Sequence, residues 1–134
     1  MDFRFLEPYR PQLLAILRIV AGLLFLEHAT QKFLGFPAPF PVHPLPTMLL
    51  VAGVIELVGG ILITLGLFTR LAAFIASGEM AAAYFIGHFS KGGFWPVLNK
   101  GEAAVLFCFV FLYIVAAGPG AWSLDSLRMR KPLP

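Results

Sequence analysis

The stretch TMLLVAGVIELVGGILITLGLF, residues 47–68, decides the fold class. It carries one ionisable side chain, Glu56, in 22 residues. Its apolar residues lack the strict alternation of a half-buried strand, and about 20 such residues cross roughly 30 Å of hydrocarbon as a helix. Because a lipid-exposed segment must satisfy its backbone hydrogen bonds internally, the stretch predicts a membrane-spanning helix.

Three further apolar segments have similar lengths. The predicted membrane spans are residues 13–33, 47–68, 71–89 and 102–117. Only 13% of the 134 residues are charged, about half the proportion of a water-soluble domain. Thr69-Arg70 leaves room for no more than a tight turn between the second and third spans. The sequence therefore predicts an all-α protein, a single membrane domain over residues 1–134 that forms an up-down antiparallel transmembrane four-helix bundle.

Proline and basic residues predict the loops and the orientation. Residues 35–46 form a Pro-rich loop, and residues 126–134 form a basic tail. Six Lys and Arg residues lie on the side that carries both chain termini, against three on the other side, and cytoplasmic loops carry the excess of such residues. We therefore expect both termini in the cytoplasm. The first span is expected to be retained, because Arg18 and Glu27 interrupt it and no A-x-A cleavage pattern follows.

Ionisable side chains lie within these apolar spans. Each span has one carboxylate, and four basic or imidazole groups lie in or beside the same spans: Glu27, Glu56, Glu79, Glu102, Arg18, His28, Lys32 and His88. A charge at the bilayer centre costs about 2.5–3.5 kcal/mol on insertion scales. These groups should therefore face the protein interior, where they either fix the helix register as ion pairs or serve a function.

Helical rise and phase divide the eight side chains into two clusters. The predicted buried polar core consists of Arg18, Glu27, Glu56 and Glu79, with Arg18 as a partner for Glu56 or Glu79. The candidate ligand-binding residues nearer the outer face are His28, Lys32, His88 and Glu102. Glu79 and His88 are nine residues apart, about 180° on a straight helix, and so are Arg18 and Glu27. A single pocket for all eight is therefore not expected.

The residue pattern disfavours several kinds of site. Di-iron bundles use Glu-x-x-His motifs, which this sequence lacks, so no metal site is predicted. The single cysteine, Cys108, cannot form an internal disulfide and is expected to be a packing residue that faces either the core or the lipid. No basic-aromatic groove motif points to nucleic acid, no cofactor motif is evident, and catalytic residues cannot be assigned. A quinone fits best, because histidine, lysine and glutamate offer donors for its carbonyl groups and a protonatable group beside them.

Several short motifs in combination resemble the DoxX family of small four-helix membrane proteins. The resemblance covers residues 13–125 and rests on these matches: Leu17-Arg18-Ile19 with Gly22, Phe25 and His28; Gln31-Lys32-Phe33; Glu56-Leu57-Val58-Gly59-Gly60; Gly66-Leu67-Phe68-Thr69-Arg70-Leu71-Ala72-Ala73; Met80, His88 and Lys91-Gly92; Asn99-Lys100-Gly101-Glu102; and Gly118-Pro119-Gly120 with Ser123-Leu124-Asp125. Two features depart from the pattern: Ala29, where the family more often has glycine, and the proline content of the first loop.

The resemblance implies a helical bundle in the bacterial cytoplasmic (inner) membrane. Some branches of the family are subunits of thiosulfate:quinone oxidoreductases, and others are linked to oxidative-stress complexes with soluble redox partners. The first functional hypothesis is therefore a quinone-interacting redox subunit, or an accessory protein of oxidative stress or sulfur oxidation. The alternative is a non-catalytic membrane scaffold that recruits a soluble redox partner. Expected partners are the lipid bilayer and a soluble redox enzyme or another membrane subunit, and a homo-oligomer is compatible with either hypothesis.

Overall fold

A computed structural model describes residues 1–128, and within this range the chain contains helices and loops but no strand. The predicted all-α class is confirmed. The main helices are α1 (Arg10–Leu34), α2 (Thr47–Leu65), α3 (Thr69–Ala83), α4 (Glu102–Ala117) and the short α5 (Leu124–Arg128). Residues 129–134, most of the predicted basic tail, lie outside the described range.

Shorter helical pieces extend two of these elements. A 3₁₀ segment, Arg4–Tyr9, leads into α1. A six-residue π-helical segment, Tyr84–Phe89, continues α3, and single turns follow at Ser90–Gly92 and Pro96–Asn99. Within residues 1–128, two helices are long and apolar enough to cross a membrane by themselves, namely Arg4–Leu34 and α2, whereas α4 is apolar but shorter.

The helices pack in pairs. α1 lies along α2, α3 lies along α4, and α2 contacts α3, whereas α1 and α4 meet at few positions. Glycines allow α1 and α2 to approach closely: an added Cβ atom would lie 2.9 Å from the Thr64 backbone nitrogen at Gly22 and 3.0 Å from the Leu26 Cα at Gly60. This close approach agrees with the preference of membrane helices for small residues at their interfaces. Phe25 and Phe111 fill the centre, where both are fully buried and their ring centroids are 5.0 Å apart.

The two ends of the helical assembly differ. One end holds the start of α1, the α2–α3 turn and α5, and we call it the α5 end. The other holds residues 35–46 and the Tyr84–Asn99 region, and we call it the proline-loop end. At the α5 end, Ala121 donates a backbone hydrogen bond to Pro11 and Asp125 donates one to Gly66, which ties α5 to the main helices.

Candidate functional site

A buried ion pair joins α1 to the middle of α2. The Lys32 ammonium nitrogen lies 2.8 Å from Glu56 Oε2 and 3.1 Å from Oε1, so it donates to both carboxylate oxygens. The side chains are 7% and 3% exposed, respectively, and this pair is therefore largely shielded from solvent. Burial of Glu56 was predicted and is confirmed, but its partner is Lys32, which the sequence analysis assigned to the outer cluster.

Local sequence explains how Lys32 reaches this depth. Lys32 lies in the last turn of α1, and its long side chain passes Gly53, which precedes Glu56 by three residues. A Cβ atom on Gly53 would lie 3.4 Å from Lys32 Cδ and 2.6 Å from the Phe33 ring, so a larger residue would crowd this passage. The ring of Phe40, in the Pro-rich loop, covers the ammonium group at 5.2 Å from its centroid.

Glu79 and His28 complete what we call the ionic cluster: His28, Lys32, Glu56 and Glu79. The Glu79 carboxyl group faces Glu56 and Lys32 from α3 and is close enough to Glu56 for the two carboxyl groups to interact directly. Its Oε2 atom is buried and has no hydrogen-bond partner among the described residues. The His28 imidazole lies within electrostatic range of Glu56 and Lys32, and its ring packs edge-on against Phe107 at 5.9 Å. Three helices thus contribute polar groups to one buried region.

The ion pair alone does not satisfy every polar atom of the ionic cluster. Lys32 and Glu56 neutralise each other, and a buried pair of this kind needs further hydrogen bonds to offset the loss of hydration. Glu79 adds an oxygen without a partner, and such buried orphan atoms cost about 1–3 kcal/mol. Glu79 Oε2 is therefore the atom of the cluster that an added hydrogen-bond donor would satisfy. No set of three His, Cys, Asp or Glu side chains within residues 1–128 is arranged to hold a metal ion.

A second polar network orders the proline-loop end. Asn99 is its centre: its amide nitrogen donates to Tyr84 Oη at 3.1 Å and to the Gly93 carbonyl at 2.7 Å, and its Oδ1 accepts from the Gly101 amide at 2.8 Å. Tyr84 also donates to the Phe94 carbonyl. His88 Nδ1 lies 3.0 Å from the Asn99 carbonyl oxygen. This network fixes the loop that leads into α4.

The structure separates the four candidate ligand-binding residues. His28 and Lys32 belong to the ionic cluster, His88 belongs to the Asn99 network, and Glu102 is exposed at the first position of α4. The π-helical segment contributes to the separation, because its turns rotate His88 away from the position that it would have on a straight α-helix. Asn99 was named only as part of the motif that resembles the family and Tyr84 was not named at all, since an isolated amide and phenol carry no distinctive sequence pattern of a hydrogen-bond network.

Two predictions for the polar core are wrong. Glu27 is exposed on the outside of α1. It lies about 180° around the helix from the fully buried Arg18, so both cannot face the interior. Arg18 does not pair with Glu56 or Glu79. Its Nη1 donates to the carbonyl oxygens of Pro119 and Ala121, and its Nη2 donates to that of Trp122.

Asp125 anchors α5 to the start of α3. Its two carboxylate oxygens accept hydrogen bonds from the Phe68 and Thr69 amides, each at 2.9 Å. Partial burial alone would raise the pKa of the Asp125 carboxyl group, but the bonds from Thr69 and Phe68 and the charge of Arg128 outweigh it, so its pKa lies below the ordinary value. These bonds occupy amides that the first turn of a helix leaves without internal partners.

We expect Asp125→Asn to lower the free energy of unfolding by about 1 kcal/mol at pH 7, since an amide can accept at only one of its two heavy atoms. A carboxyl with a depressed pKa stabilises the fold above its unfolded-state pKa of about 3.9 and loses that effect as the pH falls through the folded-state pKa. The difference in melting temperature between wild type and variant should therefore narrow below about pH 4. Asp2→Asn, at the exposed N-terminus, is the control. If it lowers the melting temperature as much as Asp125→Asn does, the hydrogen bonds of Asp125 are not the source of the stabilisation.

Comparison with known proteins places this arrangement in a family. The sequence model of the DoxX family matches residues 13–89, which include Arg18 and the whole ionic cluster. The chain belongs to the DoxX family. The resemblance drawn from the sequence motifs is thereby confirmed, and this DoxX protein is a membrane protein.

Several relatives share most of the chain's length. An uncharacterized protein of Haemophilus influenzae is 52% identical over 131 residues, which is 94% of this chain and 98% of the relative. The inner membrane protein YphA of Escherichia coli is 31% identical over 87% of this chain and 90% of its own. CatD of Bacillus subtilis, provisionally named an oxidoreductase, is 26% identical over 82% of each chain. No solved structure matches the chain significantly.

Proposed function

We propose that this DoxX protein crosses the bacterial inner membrane four times, in up-down antiparallel order, with both termini in the cytoplasm. The name of the Escherichia coli relative supports the location. α1 and α2 have the length of spans. α3 and its π-helical continuation together cover residues 69–89, which would be long enough for a third span. Four arginines at the α5 end support the orientation, because basic residues accumulate in cytoplasmic loops: Arg4, Arg10, Arg70 and Arg128.

We propose further that the ionic cluster binds the headgroup of a quinone, and that the protein is the membrane subunit of a redox complex. The buried Glu79 Oε2 atom, which lacks a partner beside the buried Lys32–Glu56 pair, carries this proposal. A membrane interior rarely retains such an ionisable group without a functional reason. The name of CatD is consistent with a redox role within the family.

The chemistry of the cluster suits a ligand that alternates between carbonyl and hydroxyl groups. When bound, the quinone would take up two electrons and two protons to become a hydroquinone, with the electrons supplied by a partner oxidoreductase. Lys32 and His28 can donate hydrogen bonds to carbonyl oxygens, and Glu79 can accept one from a hydroxyl group. Phe107 packs on His28 and bounds the site with an apolar ring that excludes water. The chain's own part would be to bind, to orient and to exchange protons.

Glu79→Gln keeps the size of the side chain but removes its protonatable oxygen. We expect the purified variant to bind a short-chain ubiquinol about tenfold more weakly than wild type, which corresponds to about 1.4 kcal/mol, the scale of one lost hydrogen bond. Glu27→Gln is the matched control, because it makes the same chemical change at an exposed position of α1. Binding can be measured by equilibrium dialysis, together with quinone extraction from the purified protein.

The result that opposes the proposal is equally specific. If wild type neither retains nor binds quinone or quinol, or if Glu79→Gln and Glu27→Gln weaken binding equally, the ionic cluster is not a quinone site. In that case, partner capture in mild detergent would test the alternative, a non-catalytic scaffold that recruits a soluble redox partner. The quinone proposal requires that Glu79→Gln change the binding of quinone or quinol, whereas a scaffold would capture its partner without either ligand.

A further inference from the structure

An apolar groove separates α1 from α4 at the α5 end. It has a volume of about 590 Å³, and its lining includes Arg10, Leu13 and Leu17 on α1, Tyr113 and Ala117 on α4, and Gly120 beneath them. We call it the α1–α4 groove. The quinone site described above shares none of these residues, so the groove is a separate feature of the protein.

The loop after α4 packs against α1 in this region. Arg18 holds the carbonyl groups of Pro119, Ala121 and Trp122, and this draws the loop beneath α4. Gly120 then lies against α1, where an added Cβ atom would come within 2.7 Å of the Pro11 carbonyl oxygen. The helices close on each other only further along, through Phe25, Phe107 and Phe111. The groove is therefore built by fixed contacts of the backbone and Arg18.

Charge and depth indicate what fills the groove. Arg10 is the first residue of α1 and is exposed, and within residues 1–128 no carboxylate forms an ion pair with it. From Arg10 to Leu17 the groove rises about 10 Å at 1.5 Å per residue, which is about two-thirds of one leaflet of a 30 Å hydrocarbon core. An apolar groove that covers about two-thirds of a leaflet and has a cation at the membrane surface is complementary to a phospholipid with an anionic headgroup.

We infer that the α1–α4 groove binds one anionic phospholipid. Its phosphate pairs with Arg10 and one acyl chain lies against Leu13, Leu17 and Tyr113. Leu17 is 41% exposed and Tyr113 is 60% exposed in the isolated chain, so an acyl chain would cover apolar surface that the protein itself leaves open. A basic residue near an anionic membrane surface contributes about 1 kcal/mol, which predicts about fivefold tighter binding of an anionic than of a zwitterionic lipid.

Native mass spectrometry of the full chain in mild detergent tests this inference, with phosphatidylglycerol and phosphatidylcholine of identical acyl chains as probes. We expect wild type to bind phosphatidylglycerol about fivefold more tightly, and Arg10→Gln to remove the preference. Arg4→Gln is the matched control, because Arg4 is exposed on the same terminal segment but pairs with Asp2, 3.0 Å away. Equal binding of both lipids by wild type, or loss of the preference in both variants, would overturn the assignment.

A second pair of variants tests the acyl-chain part of the groove. Leu17→Trp should fill the groove and weaken the binding of both lipids by about fivefold or more, whereas Ile16→Trp should leave the affinity for both lipids unchanged. Ile16 is 49% exposed at the same depth but lies about 100° around α1. Both positions are exposed, so melting temperatures should stay close to wild type. The wild-type protein could instead form a dimer that persists when lipid is added and that Leu17→Trp abolishes. That result would show that a second copy of the chain fills the groove, and it would overturn the lipid assignment.

Discussion

Replacing Lys32 with methionine should destabilise the protein more than any other change in the ionic cluster. Removal of one partner from a buried ion pair costs about 3–5 kcal/mol, because the remaining charge keeps its desolvation penalty and loses its counterion. Here Glu56 would remain buried with a second carboxyl group, Glu79, facing it. We expect a correspondingly large loss of unfolding free energy, measured by SDS titration of the protein refolded in detergent.

The double variant Lys32→Met/Glu56→Met distinguishes charge from packing. Replacement of a complete buried pair by apolar side chains is often neutral or stabilising, so the double variant should be more stable than Lys32→Met alone. Glu27→Gln supplies the baseline for removing a surface carboxylate from α1. If Lys32→Met and the double variant lose the same free energy, the ammonium group acts through packing, and the electrostatic account of the cluster is wrong.

Helix content followed from the sequence because long apolar segments in lipid leave few alternatives. The burial of Glu56 was also predictable, since glycines share its helical face and Gly53, Gly59 and Gly60 are buried with it. The phase argument anticipated that Arg18 and Glu27 could not converge, although it did not show which of the two faces outward. These inferences use only residues on one helix, where sequence spacing fixes geometry.

The partners of the buried charges could not be predicted in the same way. Lys32 lies in the last turn of α1, and its depth depends on a side chain that extends past Gly53 toward Glu56. Arg18 meets carbonyl groups more than a hundred residues later in the chain, and backbone carbonyls carry no sequence signal. The π-helical turns after Ala83 likewise alter the phase of His88 without a proline to mark them. Each of these wrong predictions concerns contacts between distant parts of the chain or a departure from ideal helix geometry.

The position of Gly66 explains why the α5 end tolerates no side chain at the end of α2. Gly66 has a φ of 69°, the left-handed conformation that commonly terminates helices, and its amide bonds to the Ile63 carbonyl. An added Cβ atom would lie 2.5 Å from Ser123 Cβ and 2.7 Å from Arg18 Nη1. A methyl group there would thus disturb the same guanidinium group that holds the loop after α4.

Gly66→Ala and Gly78→Ala should therefore change stability in opposite directions. At Gly66, alanine incurs about 1 kcal/mol for the left-handed backbone and about 1.5–3 kcal/mol when Arg18 loses a hydrogen bond to a carbonyl group. At Gly78, inside α3, an added Cβ atom meets nothing within 4 Å, so alanine should gain about 0.5–1 kcal/mol from helix propensity. Unfolding in detergent measures both. Gly66→Ala could instead lose no more unfolding free energy than Gly78→Ala gains. Arg18 would then be able to move without releasing the loop, and the contacts at the α5 end would not control stability.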